Sequence, residues 1–394
     1  MTAYLDHAAT TPLRPEALEA MLPYLTTEFG NASSAHAWGR RARAGLDDAR
    51  ARFASAIGAQ PREIVFTGSG TEAINLAIKG TAWAAKTRGH RLVSTAVEHH
   101  ATLDTLVYLE KFGFEIAQVP VDRYGRLDPE QLAAAMLDRT TLVSIIWANN
   151  EVGTIQPIAD LVARIREHRG VLIHLDAIQA APYLELDVTS LDADLISFSA
   201  HKFEGPKGTG ALWIRHGTAL LPQTQGGPQE RYRRAGTEGV AGAVGLSVAF
   251  ELNRRERLET NKRLRRLRDR LKESALGLSG VEITGHQRER LPGHLSLIAR
   301  DTDGASTVLA LDLDGVAAST GAACTSGSPD VSHVLTSMGY PEDEARGALR
   351  LSVGRTTTDQ EIDEARAALP RVLERQRAGI AALAADPLGE GLRA

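Results

Sequence analysis

The stretch "EIVFTGSG" (63–70), running straight into "TEAINLAIKGTAWAAKTRG" (71–89), decides the fold. Its first half is an apolar, β-branched run that gives way to Gly and Ser, as a strand does on entering a turn. Its second half places apolar residues at helical spacing and stops at Gly89. Strand, glycine turn and helix make one βα unit. The pattern continues in "RLVSTAVEH" (91–99), "EIAQVPV" (115–121), "TLVSIIWAN" (141–149), "VLIHLDA" (171–177) and "ADLISFSAH" (193–201), with helical stretches such as 128–138 and 157–169 between several of them. Strands separated by crossover helices predict a mostly parallel sheet covered on both faces. "GTGALWIR" (208–215) reads as a further strand of that sheet.

From about 240 to 277 the sequence reads as one long helix with a basic face, taken as a solvated face. Residues 280–394 form a second α/β unit, with "HLSLIAR" (294–300) and "ALRLSVG" (348–354) as strands and a final helix near 359–383. The first dozen residues are too few to fold alone and are expected to pack on this second unit. The expected division is a large domain over 13–255 and a small one built from 1–12 and 256–394.

Composition narrows the function. The chain has 394 residues, 43% hydrophobic and 24% charged, with a formal net charge of −4. That balance gives no basis for a nucleic-acid or anionic-membrane partner. Cys324 is the one cysteine, which excludes an intrachain disulfide and any CxxC metal or redox motif. The N-terminus "MTAYLDHAATTP" lacks a basic and apolar leader, and no apolar run reaches the ~18 residues of a spanning helix. The expected location is the cytoplasm, where a thiol stays reduced.

In an open α/β sheet, ligands bind at the carboxyl ends of the strands. "TGSGTE" (67–72) puts small residues before a helix start, an anion site to which Thr71 adds a hydroxyl, or else an ordinary turn capped by Thr71. It is neither a Walker A loop nor GxGxxG. Other strand ends carry His99, Asn150, Asp176, and the run Ser199, His201 and Lys202. Singly, each has an ordinary structural reading: Asp176 could cap a helix, and a lysine after a strand is usually solvated. Together they supply what pyridoxal phosphate requires. That cofactor needs an anion cradle, a flat group on its ring, a carboxylate for its pyridine nitrogen and a lysine to bind it covalently. Lys207 competes for the last task. Lys202 is favoured because it directly ends the apolar strand "LISFSAH".

At this point the sequence resembles a known family. "YLDHAATTPLRPE", "FTGSGTEAINLAIKG", "EHHATLDT", "NNEVGTIQPI", "HLDAIQA", "SAHKFEGPKGTGAL", "RAGTE", "STGAACTSGS" and "LRLSVGRTT" are similar to the cysteine desulfurases of the NifS/IscS type. These are class V, fold type I pyridoxal-phosphate enzymes. The resemblance implies that Lys202 binds the cofactor covalently, Asp176 pairs with the pyridine nitrogen and Gln179 serves the ring hydroxyl. It implies that His99 stacks on the ring as an acid/base. Gly70, Thr71, Ser199 and His201 would hold the phosphate, with Thr237 reaching in from the partner of a homodimer. Asn150 and Arg355 would bind substrate. Cys324 would accept sulfur from L-cysteine as a persulfide and pass it to an acceptor such as an iron–sulfur scaffold or a thiolation enzyme. No resident metal is implied, Cys324 being at most a transient iron–sulfur ligand. The small residues around Cys324 suit a thiol that moves between cofactor and surface. Two positions depart from the family pattern, Ala32 in place of Pro and Glu204 in place of an aromatic, and neither is expected to touch a chemical group. A selenocysteine lyase or a class V aminotransferase is the nearest rival. An aminotransferase has no use for the Cys324 loop. A non-catalytic scaffold would not need Lys202, Asp176 and His99 together.

Overall fold

In a computed structural model describing residues 3–321 and 331–385, the chain opens with a short strand, β1 (Ala3–Tyr4). Helices Pro15–Thr26 and Ala37–Ala56 follow. The large sheet comprises β2 (Ile64–Thr67), β3 (Arg91–Thr95), β4 (Glu115–Val119), β5 (Thr140–Ile146), β6 (Leu172–Asp176), β7 (Leu195–Ser199) and β8 (Gly210–Ile214). Its order is β2-β8-β7-β6-β5-β3-β4, and its seven strands are those read from the alternating pattern. Neighbours from β7 to β4 pair in parallel, and every residue of β5 is buried. β8 is antiparallel to both β7 and β2. Only a short loop joins β7 to β8, and a parallel return needs a crossover of a dozen residues or more.

The smaller sheet has β9 (Val281–Ile283), β10 (His294–Ala299) and β12 (Ala348–Ser352), in the order β12-β10-β9. β11 (Val316–Ala317) pairs in parallel with β1, and the Leu5 amide donates to the Ala317 carbonyl at 2.9 Å. The N-terminal segment therefore packs on the C-terminal part of the chain, as expected.

The helix Val240–Leu276 joins the two halves of the molecule. Val240, Ala243, Leu246, Ala249 and Phe250 sit in the core beneath the large sheet. Leu264, Leu267, Leu271 and Ala275 sit in a second core with Leu5, Leu297, Leu351 and Leu369. Its basic face is not simply solvated: Arg266 and Arg270 pair with Asp359, and Arg270 also with Asp363, in the first turns of the helix Asp359–Ala385. Such exposed pairs are each worth about 0–1 kcal/mol, so they orient the last helix more than they stabilise it.

Candidate active site

The parallel strands β3, β5, β6 and β7 end on one edge of the large sheet, and a cleft of about 520 Å³ opens there. It is lined by Gly70, Thr71, His99, Asn150, Asp176, Gln179, Ser199, His201 and Lys202, so nine expected site residues meet in one place.

The helix Gly70–Ala85 points its N-terminus at the cleft. Its cap is Ser69, whose hydroxyl accepts the Glu72 amide at 3.0 Å. Thr71 is therefore not the cap and stays exposed to the cleft. Gly70 leaves room that no other residue could: a Cβ there would lie 2.4 Å from Ile178 Cδ1 and 2.9 Å from Ser199 Cβ. Unpaired first-turn amides, a helix dipole and the missing Cβ form an anion cradle.

Asp176 ends β6 and is buried. Its Oδ1 accepts the Ile178 amide at 2.9 Å. Burial raises its pKa to about 6, while that hydrogen bond and the nearby Lys202 pull it down. A cationic ring nitrogen opposite it would restore the ionised form. Lys202 ends the single turn Ala200–Lys202 that follows β7, and its Nζ donates to the carbonyls of Ala8 at 2.6 Å and Ala9 at 2.8 Å. Gln179 Nε2 also donates to the Ala8 carbonyl, at 2.8 Å. The N-terminal segment thus closes one wall of the cleft, a role its sequence does not announce. His201 Nδ1 lies 3.1 Å from the Thr10 hydroxyl, and burial lowers its pKa to about 4. Lys207 lies at the cleft rim on an exposed loop.

Two expected residues stand elsewhere. Thr237 is exposed beside a neighbouring cavity of about 600 Å³, which shares Lys207 and Gly208 with the cleft. Arg355 does not line the cleft. Its Nε donates to both carboxylate oxygens of Glu204, at 3.0 and 2.7 Å, so Glu204 touches a group it was expected to leave alone. Cys324 lies outside the described residues.

The cleft instead holds Arg350, from the middle of β12. Arg350 is 2% exposed. Its Nη1 donates to the carbonyls of Asn150 at 2.8 Å and Gly321 at 3.3 Å, and its Nη2 to Asp6 Oδ1 at 2.8 Å. Its Nε is buried without an acceptor among the described residues. The signal was present in "ALRLSVG", since a charged residue inside an apolar strand is rarely buried without a task.

Comparison with known proteins decides the family. Residues 3–365 match the class V aminotransferases. The chain belongs to that family. A protein named cysteine desulfurase IscS from Methanosarcina thermophila is 45% identical over 95% of this chain and 92% of its own length. A solved structure described as a NifS-like protein superposes with a TM-score of 0.90 at 35% identity, over 95% of this chain and all of that one. Another, described as SspA in complex with cysteine, has a TM-score of 0.80 at 32% identity, over 91% of this chain and all of that one. Enzymes of the family depend on pyridoxal phosphate, and the residues here fit it. The Gly70 cradle suits its phosphate, the buried Asp176 its ring nitrogen, and the Lys202 amine its aldehyde carbon.

Proposed function

We propose that this chain removes sulfur from L-cysteine, leaving L-alanine and a persulfide on Cys324. The carrying observation is that Lys202, Asp176 and Arg350 face one cleft at the strand ends. Bound pyridoxal phosphate supplies an electron sink next to the substrate's Cα. Asp176 would hold the ring nitrogen protonated, and Gly70, Thr71, Ser199 and His201 would bind the phosphate. Lys202 would anchor the cofactor, and its amine would take the proton from the substrate's Cα.

Arg350 rather than Arg355 binds the substrate carboxylate, with Asn150 beside it. Its Nε and the second N–H of Nη2 have no acceptor among the described residues, and a guanidinium fork suits a carboxylate. Cys324 then bonds to the substrate sulfur as the C–S bond breaks, and hands the sulfur to an acceptor protein.

The active form is a homodimer. Leu18, Leu22, Leu25 and Phe29 are exposed along the helix Pro15–Thr26 and just after it, a stripe too apolar to be left in water. Leu25 and Phe29 line the same cavity as Thr237, so a second copy seated there would bring Thr237 to its partner's phosphate. The chain divides at about residue 255, and Cys324 belongs by sequence to the smaller domain. No described helix is long and apolar enough to cross a membrane. The cytoplasm, where thiols stay reduced, suits this chemistry. The direct test is incubation with L-cysteine and measurement of alanine and sulfide. An inert protein, or one that transaminates instead, would overturn this reading.

A further inference from the structure

Asp6 and Arg350 meet across 344 positions of sequence, with Asp6 Oδ1 accepting from Arg350 Nη2 at 2.8 Å. The N-terminal segment is zipped onto β12 to make this contact. Asp6 bridges to Ser352 in parallel, and the Ser352 amide donates to the Leu5 carbonyl at 2.7 Å. The Ala8 amide donates to the Ser352 hydroxyl at 2.8 Å. Ser352 and Arg350 stand two apart on one strand and so share a face of it.

The pair is sheltered. The Arg350 side chain is 2% exposed and that of Asp6 19%, and Asp6 is the one carboxylate that pairs with Arg350 among the described residues. Solvent and salt screen such a pair much less than a surface one. The carbonyls of Asn150 and Gly321 take Nη1, and Asp6 takes one N–H of Nη2, so the rotation of the guanidinium is fixed. The edge left over carries Nε and the other N–H of Nη2, on a residue that lines the cleft. A planar fork makes two parallel hydrogen bonds to a carboxylate in one orientation, so whatever fixes the fork fixes the carboxylate.

The main chain of Asp6 serves the opposite wall. Its carbonyl accepts the Ala9 amide at 3.1 Å and the Thr10 amide at 3.4 Å. That turn carries the Ala8 and Ala9 carbonyls to which Lys202 Nζ donates. We propose that Asp6 is a positioning residue for substrate selection: it orients Arg350 toward the carboxylate of an α-amino acid, and so makes the cleft prefer L-cysteine over an amine that lacks one. This rests on Arg350 binding the substrate carboxylate, as argued above. Without Asp6, Arg350 would keep its charge and lose the contact that sets its rotation. An Asp6 that served the fold alone would weaken all ligands alike when removed.

The test uses the full cofactor-loaded protein. Binding of L-cysteine and of cysteamine is followed by rapid mixing in the visible absorption of the cofactor, alongside steady-state kinetics for L-cysteine. Asp6→Ala should stay coloured, raise the KM for L-cysteine on the order of tenfold with kcat changed much less, and leave cysteamine binding within about twofold. Combining Asp6→Ala with Arg350→Gln should cost no more than Arg350→Gln alone, because a residue acting through another adds nothing once that other is gone. Equal weakening of both ligands, or losses that multiply in the double variant, would overturn the proposal. If Asp6→Ala does not load cofactor, Asp6→Asn, which keeps an acceptor oxygen and drops the charge, serves in the same comparison. Failure of both variants to load would make Asp6 a residue of the fold and refute its role in selection. Should Arg350→Gln bind L-cysteine as wild type does, the reading of Arg350 fails. Should it lose L-cysteine while Asp6→Ala does not, only the role of Asp6 fails.

Discussion

Glu204 holds Arg355 through both of its carboxylate oxygens, two residues beyond Lys202. The same glutamate donates its amide to the Thr11 hydroxyl and accepts the Arg14 amide with its carbonyl. Its φ is +64°, a conformation that non-glycine residues adopt only when the surroundings fix it. The turn that carries Lys202 is thus tied both to the N-terminal segment and to the loop after β12.

Arg355→Ala should therefore act on stability more than on substrate binding. We expect a loss on the order of 1–3 kcal/mol in denaturant unfolding, from leaving Glu204 without its main partner. KM for L-cysteine should change less than about threefold. A large rise in KM with unchanged stability would return Arg355 to the substrate site.

Arg350→Gln should show the reverse balance. Losing a charge-assisted contact to the substrate carboxylate typically costs about 1.5–3 kcal/mol, or roughly 10- to 150-fold in kcat/KM. L-cysteine should be affected more than cysteamine, which has no carboxylate. Equal loss for both compounds would show that Arg350 only supports the fold.

Why Arg355 attracted attention in the sequence and Arg350 did not is a physical matter. Alternation of strands and helices is written locally, so β2 to β8 and the long helix were legible. The antiparallel entry of β8 follows from a short loop that is also visible. Residues at strand ends converge by topology alone, which is how Lys202, Asp176 and His99 were found. What local pattern cannot carry is a contact such as Lys202 Nζ to the Ala8 carbonyl, 194 positions apart. Nor does it show which of two arginines lines the cleft. Thr71 looked like a cap for the same reason, although Ser69, two residues earlier, makes the bond.

Glu98 gives a pH prediction. Its Oε1 accepts from the Thr95 hydroxyl at 2.7 Å and the Ile146 amide at 2.8 Å, while Oε2 is buried without a partner among the described residues. Burial raises its pKa to about 8. A carboxyl whose folded pKa exceeds its unfolded one near 4.5 contributes stability that is complete below that value and is lost as pH rises toward about 8. Glu98→Gln cannot titrate. Its stability relative to wild type should rise steadily from about pH 5 to about pH 8 and then level off. A pH-independent difference would mean that Glu98 is ionised in the folded protein at all these values.

Lys202→Ala should abolish the visible absorption of the bound cofactor and all turnover, because no other amine stands at the end of β7. Lys207→Ala, on the exposed rim, should keep the colour. A coloured and active Lys202→Ala protein would remove the cofactor assignment.

The central claim is that sulfur leaves L-cysteine and lodges on Cys324. Wild type and Cys324→Ala, both loaded with pyridoxal phosphate, should be given L-cysteine without added reductant, with alanine quantified and peptides read by mass spectrometry. The account predicts alanine and one added sulfur on the Cys324 peptide in wild type. In Cys324→Ala it predicts a protein that stays coloured but forms alanine orders of magnitude more slowly, since the chain has no other thiol. Alanine formation by Cys324→Ala at near wild-type rate would contradict it, and would make the protein a lyase that releases sulfide directly.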